Sequence, residues 1–333
     1  MTDIAIIGAG FIGGVHARLI DAIDEARVSA VVDNDLDRAQ GLAGPRGATA
    51  ALSLDALAAT GALPDIVSIC TVSAGHADLA IRALELGCHV IVEKPVDITL
   101  EAADRLSVAA QKADRVLSVV SQRRFLPTSV ALRRAIDSGR LGRLTGGTAE
   151  SPFFRAQSYY DSGDWRGTVD VDGGGALMNQ GVHALDLLLW LLGTPVGVSA
   201  ATACVAHERI EVEDVAGAVF RFDGGAVGTL FASTAAFPES GVRLSVFGTK
   251  GSATIAEGRL TIRYADGDEG VEDAAPEGWT SIDWAHRAQY LDVLDAVATG
   301  RPPAIGFADG RRALAAVLGV YESARTGRAV ALS

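Results

Sequence analysis

The sequence has 333 residues, more than one hydrophobic core ordinarily serves, so two domains are expected. Hydrophobic residues make up 49% and charged residues 21%, a soluble globular balance, and the formal net charge of −12 argues against a nucleic-acid or anionic-membrane partner. Three cysteines without a CxxC pair read as reduced thiols of a cytoplasmic protein; MTDIAIIG has no basic leader, and no apolar run reaches membrane-spanning length.

Taken in order, the first third alternates strand and helix. Ile4–Ile7 is a short apolar run that ends in GAGFIG, Gly8 to Gly13, and a helical pattern follows from Phe11 to Ile23. A GxGxxG motif between a strand and a helix binds a dinucleotide. Gly8 allows the turn, Gly10 lets backbone approach a pyrophosphate, and Gly13 lets the helix pack closely; Phe11 and Ile12 line the helix start. The next run, Val28–Val32, ends at Asp33, 20 residues after Gly13, where a carboxylate takes the ribose hydroxyls. An acid there repels a 2′-phosphate and favours NAD, while Arg38, near Asn34, leaves NADP open. Strands at 65–70, 89–92 and 116–120 alternate with helices at 74–86 and 100–113, which predicts a parallel, doubly wound sheet. Ligands lie beyond the carboxyl ends of such strands, an edge that contains Thr71, Glu93, Lys94 and Gln122. His76 is expected at a helix start, supporting that edge.

Lys94 directly follows the strand 89–92, in the sequence EKP. A lysine there points to the ligand crevice and can stabilise a developing alkoxide; the alternative is a solvated surface lysine. After QRRF (122–125) and a helix at 128–138, the pattern changes to strand-like runs at 144–150, 196–205, 216–222, 226–233, 243–248, 252–255 and 259–264. They predict a large open mixed or antiparallel sheet, with one face on a helix and the other covered by a second subunit. The acidic stretch 266–281 reads as an exposed loop, and two helices, at 284–298 and 308–324, close the chain.

Within this half lies DGGGALMNQGVHALDLLLWLL, residues 172–192. A helix apolar on nearly every side is buried. Asn179, His183 and Asp186 fall on one stripe of it, spaced i, i+4 and i+7, and are costly to bury without partners. The stripe reads as the floor of an active site; the alternative is three satisfied core polar residues.

GAGFIG, the segment CTVSAGHADLAIRALELGCHVIVEKP, DWRGT (164–168), GGGALMNQGVHALD and the GTKGS turn (248–252) together resemble the Gfo/Idh/MocA family of NAD(P)-dependent sugar and cyclitol oxidoreductases, over nearly the whole chain. The resemblance implies an α/β protein: an N-terminal Rossmann domain (residues 1–121) and a C-terminal α/β domain for substrate and oligomerisation (122–333), forming a homodimer or homotetramer through its open sheet. It matches Lys94 to the family's lysine near the nicotinamide and His183 to its catalytic base. Many members carry aspartate where this chain has Asn179, which cannot stabilise an imidazolium by charge.

The expected reaction passes hydride between NAD(P) and a secondary alcohol of a sugar, sugar acid or inositol-like ring. His183 takes the hydroxyl proton, Lys94 stabilises the alkoxide and Asn179 fixes substrate or imidazole. Arg124, Tyr160, Trp165 and Arg166 are further substrate-pocket residues, and no metal is expected. The rivals are an NAD-dependent glycosidase with transient oxidation and a non-catalytic NAD-binding regulator.

Overall fold

Short, uniformly apolar strands separated by amphipathic helices bury both faces of a sheet, and the first third of the chain does this. In a computed structural model that describes residues 1–332, the chain divides into two compact units. One holds residues 1–121 with 286–311; the other holds 122–285 and the chain from Arg312 onward.

The first unit is built on β1 (Thr2–Ile7), β2 (Ala26–Val32), β3 (Thr49–Ala51), β4 (Ile66–Ile69), β5 (His89–Val92) and β6 (Leu117–Val119). Their order is β3-β2-β1-β4-β5-β6 and every neighbouring pair is parallel. This is the doubly wound order, in which the strand order reverses beside β1 and a ligand crevice opens at the carboxyl ends. The helices are α1 (Phe11–Asp21), α2 (Leu36–Ala43), α3 (Leu54–Ala59), α4 (His76–Glu85) and α5 (Leu100–Ala113). The sequence reading leaves α2, β3 and α3 unassigned, although their caps are ordinary. Asp35 accepts from the Asp37 and Arg38 amides, and Ser53 from that of Ala56.

The second unit opens with α6 (Pro127–Asp137), β7 (Leu144–Pro152) and the single turn α7 (Gln157–Tyr160), and reaches the long apolar helix α8 (Val182–Leu192). Strands β8 (Pro195–Ala203), β9 (Val215–Phe222), β10 (Val227–Ser233), β11 (Arg243–Gly248), β12 (Gly251–Ala256), β13 (Arg259–Tyr264) and β14 (Gly267–Glu272) follow. Then come α9 (Ser281–Thr299), which belongs to the first unit from His286 on, α10 (Phe307–Thr326), which belongs to the second from Arg312 on, and β15 (Val330–Ala331). The sheet order is β14-β13-β12-β11-β7-β10-β9-β8-β15; β7 and β10 run parallel and the other neighbours antiparallel, so the sheet is mixed. Its buried face carries α8. Gly147 and Gly228 let that helix approach closely, since a Cβ on either would stand 3.2–3.3 Å from Leu188. The other face exposes Val219, Val227, Phe231 and Phe247.

The acidic stretch 266–281 is not wholly a loop. Its first part is β14, paired with β13 from Arg259↔Glu272 to Tyr264↔Gly267. GDEGVE has poor strand propensity, so ladder pairing overrides it, and its acids suit an exposed edge. Among the described residues, no helix is long and apolar enough to cross a membrane.

Candidate functional site

At the nucleotide edge of the first unit, the glycines separate into two jobs. Gly8 has φ +99°, and a Cβ there would lie 2.7 Å from the Cys70 carbonyl oxygen; one on Gly13 would overlap the Gly8 carbonyl. Both are therefore fixed by packing. Gly10, by contrast, has nothing within 4 Å of a built Cβ, and no side chain caps α1. Open space above uncapped helix amides fits a pyrophosphate. Phe11 is 87% exposed beside it, and Ile12 and Gly13 continue the first turn. At the end of β2, Asp33 accepts from the Ala9 and Asp35 amides, which fixes its carboxylate against the glycine turn. Arg38 is drawn to Asp33 (3.5 Å), Asp35 (3.2 Å) and the Asn34 amide oxygen (3.4 Å), so acids already compete for its charge.

His76 opens α4, as expected. It is buried, its ring nitrogens lying 2.8 Å from the Pro95 carbonyl oxygen and 3.1 Å from that of Thr71. It thus ties the segment after β4 to the segment after β5, a support rather than a ligand contact. Lys94 follows β5 and is half-buried; its backbone amide donates to Glu93 Oε2 at 3.0 Å, and the Lys94–Pro95 peptide is cis.

Behind Lys94 lies a buried polar cluster that the sequence does not announce. Glu93 Oε1 accepts from His16 Nε2 at 3.1 Å, and His16 Nδ1 meets Tyr290 Oη at 2.6 Å and Ser68 Oγ at 2.9 Å. His286 packs edge-on to His16, with ring centroids 4.5 Å apart. Burial alone would neutralise these groups. Glu93 is nevertheless held well below the usual carboxylate range by His16, with His286 and Lys94 adding to it. Burial likewise disfavours the His16 cation, yet Cys70 and Tyr290, with the hydrogen bond to Glu93, raise it well above the ordinary histidine value. The pair is a buried ion pair. His16, Glu93 and His286 also bring metal-ligating atoms within 4.8 Å of one another, but both His16 nitrogens are already committed to hydrogen bonds.

In the second unit the glycine run exists for packing. A Cβ on Gly174 would strike the Tyr321 hydroxyl at 2.2 Å, and one on Gly175 would overlap the Glu213 carbonyl. Glu213 caps the helix that follows: its carboxylate accepts from the Gly175 (2.9 Å) and Leu177 (2.8 Å) amides, and its backbone oxygen from Ala176 (2.9 Å). Tyr321 donates to the same carboxylate at 3.1 Å. The helix begins as a π turn, Leu177–Gly181, and continues as α8. Such turns often occur at functional sites. Asn179 lies on the π turn and His183 on the first turn of α8, both half-buried; Asn179 Nδ2 donates to the Gly174 carbonyl at 3.2 Å.

The stripe is therefore mixed. Asp186, its third member, is spent on a buried bidentate pair with Arg124 (2.8 and 2.5 Å). Arg124, expected in the substrate pocket, is used for this pair; its guanidinium is 5% exposed. Tyr160 is also enclosed: its hydroxyl bonds Thr234 Oγ1 at 2.8 Å, and burial pushes its pKa up to about 12. Trp165 and Arg166 remain half-exposed, with the guanidinium 4.3 Å from the Trp165 and Tyr159 ring centres. Gln122 keeps a buried Oε1 without a protein partner.

A cleft of about 940 Å³ opens in this unit between α6, α8 and the ends of β11–β13. Leu187, one turn beyond His183, lines it, and so does Arg123 rather than Arg124. Arg123 Nε and Ser129 Oγ on its wall have no protein partner. In an RR pair the sequence cannot tell which arginine turns inward. Asp186, a carboxylate on a buried apolar helix, was the available signal that a counter-ion would be needed.

Comparison with known proteins agrees with this anatomy. Residues 2–121 match the model of the oxidoreductase family, NAD-binding Rossmann fold, and residues 129–254 that of the GFO/IDH/MocA C-terminal domain. The chain is 30% identical to UDP-N-acetylglucosamine 3-dehydrogenase of Acidithiobacillus ferrooxidans, covering 95% of each, and 27% identical to myo-inositol 2-dehydrogenase of Thermotoga maritima, covering 99% of this chain and 98% of that protein. It superposes on the WlbA dehydrogenase of Bordetella pertussis, solved with NADH and UDP-GlcNAcA, at a TM-score of 0.90 and 29% identity, covering 100% and 98%. The chain belongs to the GFO/IDH/MocA oxidoreductase family and is an NAD(P)-dependent dehydrogenase.

Proposed function

We propose that this dehydrogenase oxidises, or in reverse forms, a ring secondary alcohol of a sugar, sugar acid or cyclitol, with Lys94 and His183 acting on the same hydroxyl. The observation that carries this reading is the placement of Lys94 directly after β5, at the carboxyl edge of an NAD-binding sheet, with its backbone held by Glu93. Two similar proteins are named for oxidation at a ring position, one on an inositol and one on a nucleotide sugar. The bound nicotinamide supplies the hydride acceptor or donor. His183 removes the hydroxyl proton, the Lys94 ammonium offsets the charge that develops on oxygen, and Asn179 orients the substrate hydroxyl or the imidazole by hydrogen bonds. Asn179 cannot add a carboxylate's charge to the imidazolium, so the Lys94 cation carries more of the electrostatic stabilisation.

Asp33 favours NAD over NADP, because its fixed carboxylate repels a 2′-phosphate and Arg38 is engaged by acids. Sugars, uronates, inositols and nucleotide sugars incubated with NAD⁺ or NADP⁺, followed at the NADH absorbance, test the reading. A turnover signal with NAD⁺ on one ring class supports it. Release of phenol from an aryl glycoside without net NADH would replace it by the glycosidase, and NAD binding without either reaction by the regulator.

A further inference from the structure

The sequence places a glutamate before Lys94, and the reaction assigns it nothing to do. Yet Glu93 is 6% exposed, while its neighbour Lys94 is half-buried. A carboxylate that far from water is costly unless its charge has a use or a partner. Here it has both. One oxygen accepts the Lys94 amide and the other accepts His16 Nε2. His16 comes from α1, directly behind the glycine turn, and Ser68 from β4. Tyr290 comes from α9 and bonds both, its hydroxyl lying 2.7 Å from Ser68 Oγ. His286, one turn earlier on α9, closes the cluster; it stacks on Tyr290 at 6.0 Å and leaves its buried Nε2 without a partner.

We infer that Glu93 is a positioning residue for Lys94, and that His16, held by Tyr290 and packed against His286, keeps its carboxylate ionised and fixed in the core of the nucleotide-binding unit; this rests on the proposed role of Lys94. The logic is electrostatic. A negative charge one residue away favours the ammonium form of lysine. Its hydrogen bond to the Lys94 amide fixes the backbone from which the side chain reaches. The His16 cation supplies the counter-charge that allows Glu93 to remain ionised without solvent. The charged and titratable groups that act on Glu93 are His16 on α1, His286 on α9 and Lys94 itself, while Cys70 after β4 and Tyr290 on α9 act on His16. Ser68 adds a neutral hydroxyl. The helix after the nucleotide turn and the end of β5 thus meet on one carboxylate, with α9 packed against His16, so the lysine is held by its backbone amide.

The test is Glu93→Gln, which keeps the shape and an acceptor but removes the charge. Two readouts are needed: the pH dependence of kcat, and the pH dependence of Lys94 acetylation by acetic anhydride, read by peptide mass spectrometry without substrate. The inference predicts a fall of at least tenfold in kcat, NAD affinity within threefold of wild type, and a Lys94 titration moved down by at least half a pH unit, with the basic limb of kcat following it. If E93Q does not fold, Tyr290→Phe is read in the same assays and is expected to lower kcat several-fold in the same direction. Wild-type kcat with an unmoved Lys94 titration in the folded variant overturns the inference, as does a loss of activity that merely follows a loss of NAD binding. Lys94→Ala separates the two readings: if it is fully active, the role given to Lys94 is wrong; if it is inactive while E93Q behaves as wild type, only the role of Glu93 falls.

Discussion

In the proposed reaction Lys94 and His183 carry opposite halves of one proton and charge transfer, so each single loss is expected to stop turnover. Lys94→Ala and His183→Ala should each lower kcat by about 10² or more, the usual worth of general acid–base or oxyanion groups. NAD binding, measured by fluorescence quenching or thermal shift, should persist. A fully active double variant sinks the assignment. At the other end of the cofactor, Asp33→Ala should reduce the kcat/KM preference for NAD⁺ over NADP⁺ by about tenfold, roughly 1.4 kcal/mol; an unchanged ratio would show that Asp33 does not discriminate. His286 gives a stability prediction. Burial first, and the His16 charge second, push its pKa from 6.5 down to about 3. The unfolded chain then takes up a proton near pH 6.5 that the folded chain refuses until near pH 3. Its contribution is intact above pH 6.5 and is lost, at most about 1.4 kcal/mol per pH unit, as pH falls below it. Urea unfolding at pH 7 and pH 5 should show wild type losing more stability on acidification than His286→Leu; equal losses refute it.

The element that presents His183 is held at its start rather than along its length. A helix N-terminus leaves several amides without intrahelical partners. Here Glu213, far away in sequence, answers three of them and Tyr321 steadies the carboxylate. Glu213→Gln keeps the size but makes one of the two carboxylate oxygens an amide that faces donors. It should cost about 1–3 kcal/mol in urea unfolding, with kcat falling more than that fraction unfolded explains. Gly175→Ala should be worse, because its Cβ meets backbone and not a movable side chain. A Gly175→Ala protein with normal stability and kcat would mean that this helix start tolerates displacement. The sequence reading gave the burial of this helix from pattern alone, but it saw no cap, because the cap lies between β8 and β9.

On the scale of the whole molecule, the open sheet of the second unit has one face buried under α8 and the other exposing Val219, Val227, Phe231 and Phe247. Exposed apolar residues on a broad sheet face mark an interaction surface. A second copy of the chain is the proposed occupant, giving a homodimer or homotetramer. Light scattering should return a multiple of the monomer mass, and Phe231→Glu with Phe247→Glu should reduce it. A wild-type monomer at micromolar concentration would dismiss the idea.

Local chemistry is what the sequence determined by itself. Spacing between glycines and Asp33 named the nucleotide turn, uniform apolar runs named the parallel strands, and the polar stripe at Asn179 and His183 named a candidate site helix, because each signal is carried by residues near one another in the sequence. The α2–α3 stretch carries ordinary caps, Asp35 and Ser53, which the sequence reading passed over. Only tertiary structure decided which charges are paired. It gave Asp186 to Arg124 and left Arg123 to the cleft, turned an acidic stretch into the edge strand β14, brought Tyr290 and His286 back to Glu93, and set Glu213 beneath the glycine run. Ion pairs and caps depend on distances between segments far apart in sequence, and a burial cost is met by whichever partner the fold brings within hydrogen-bond reach.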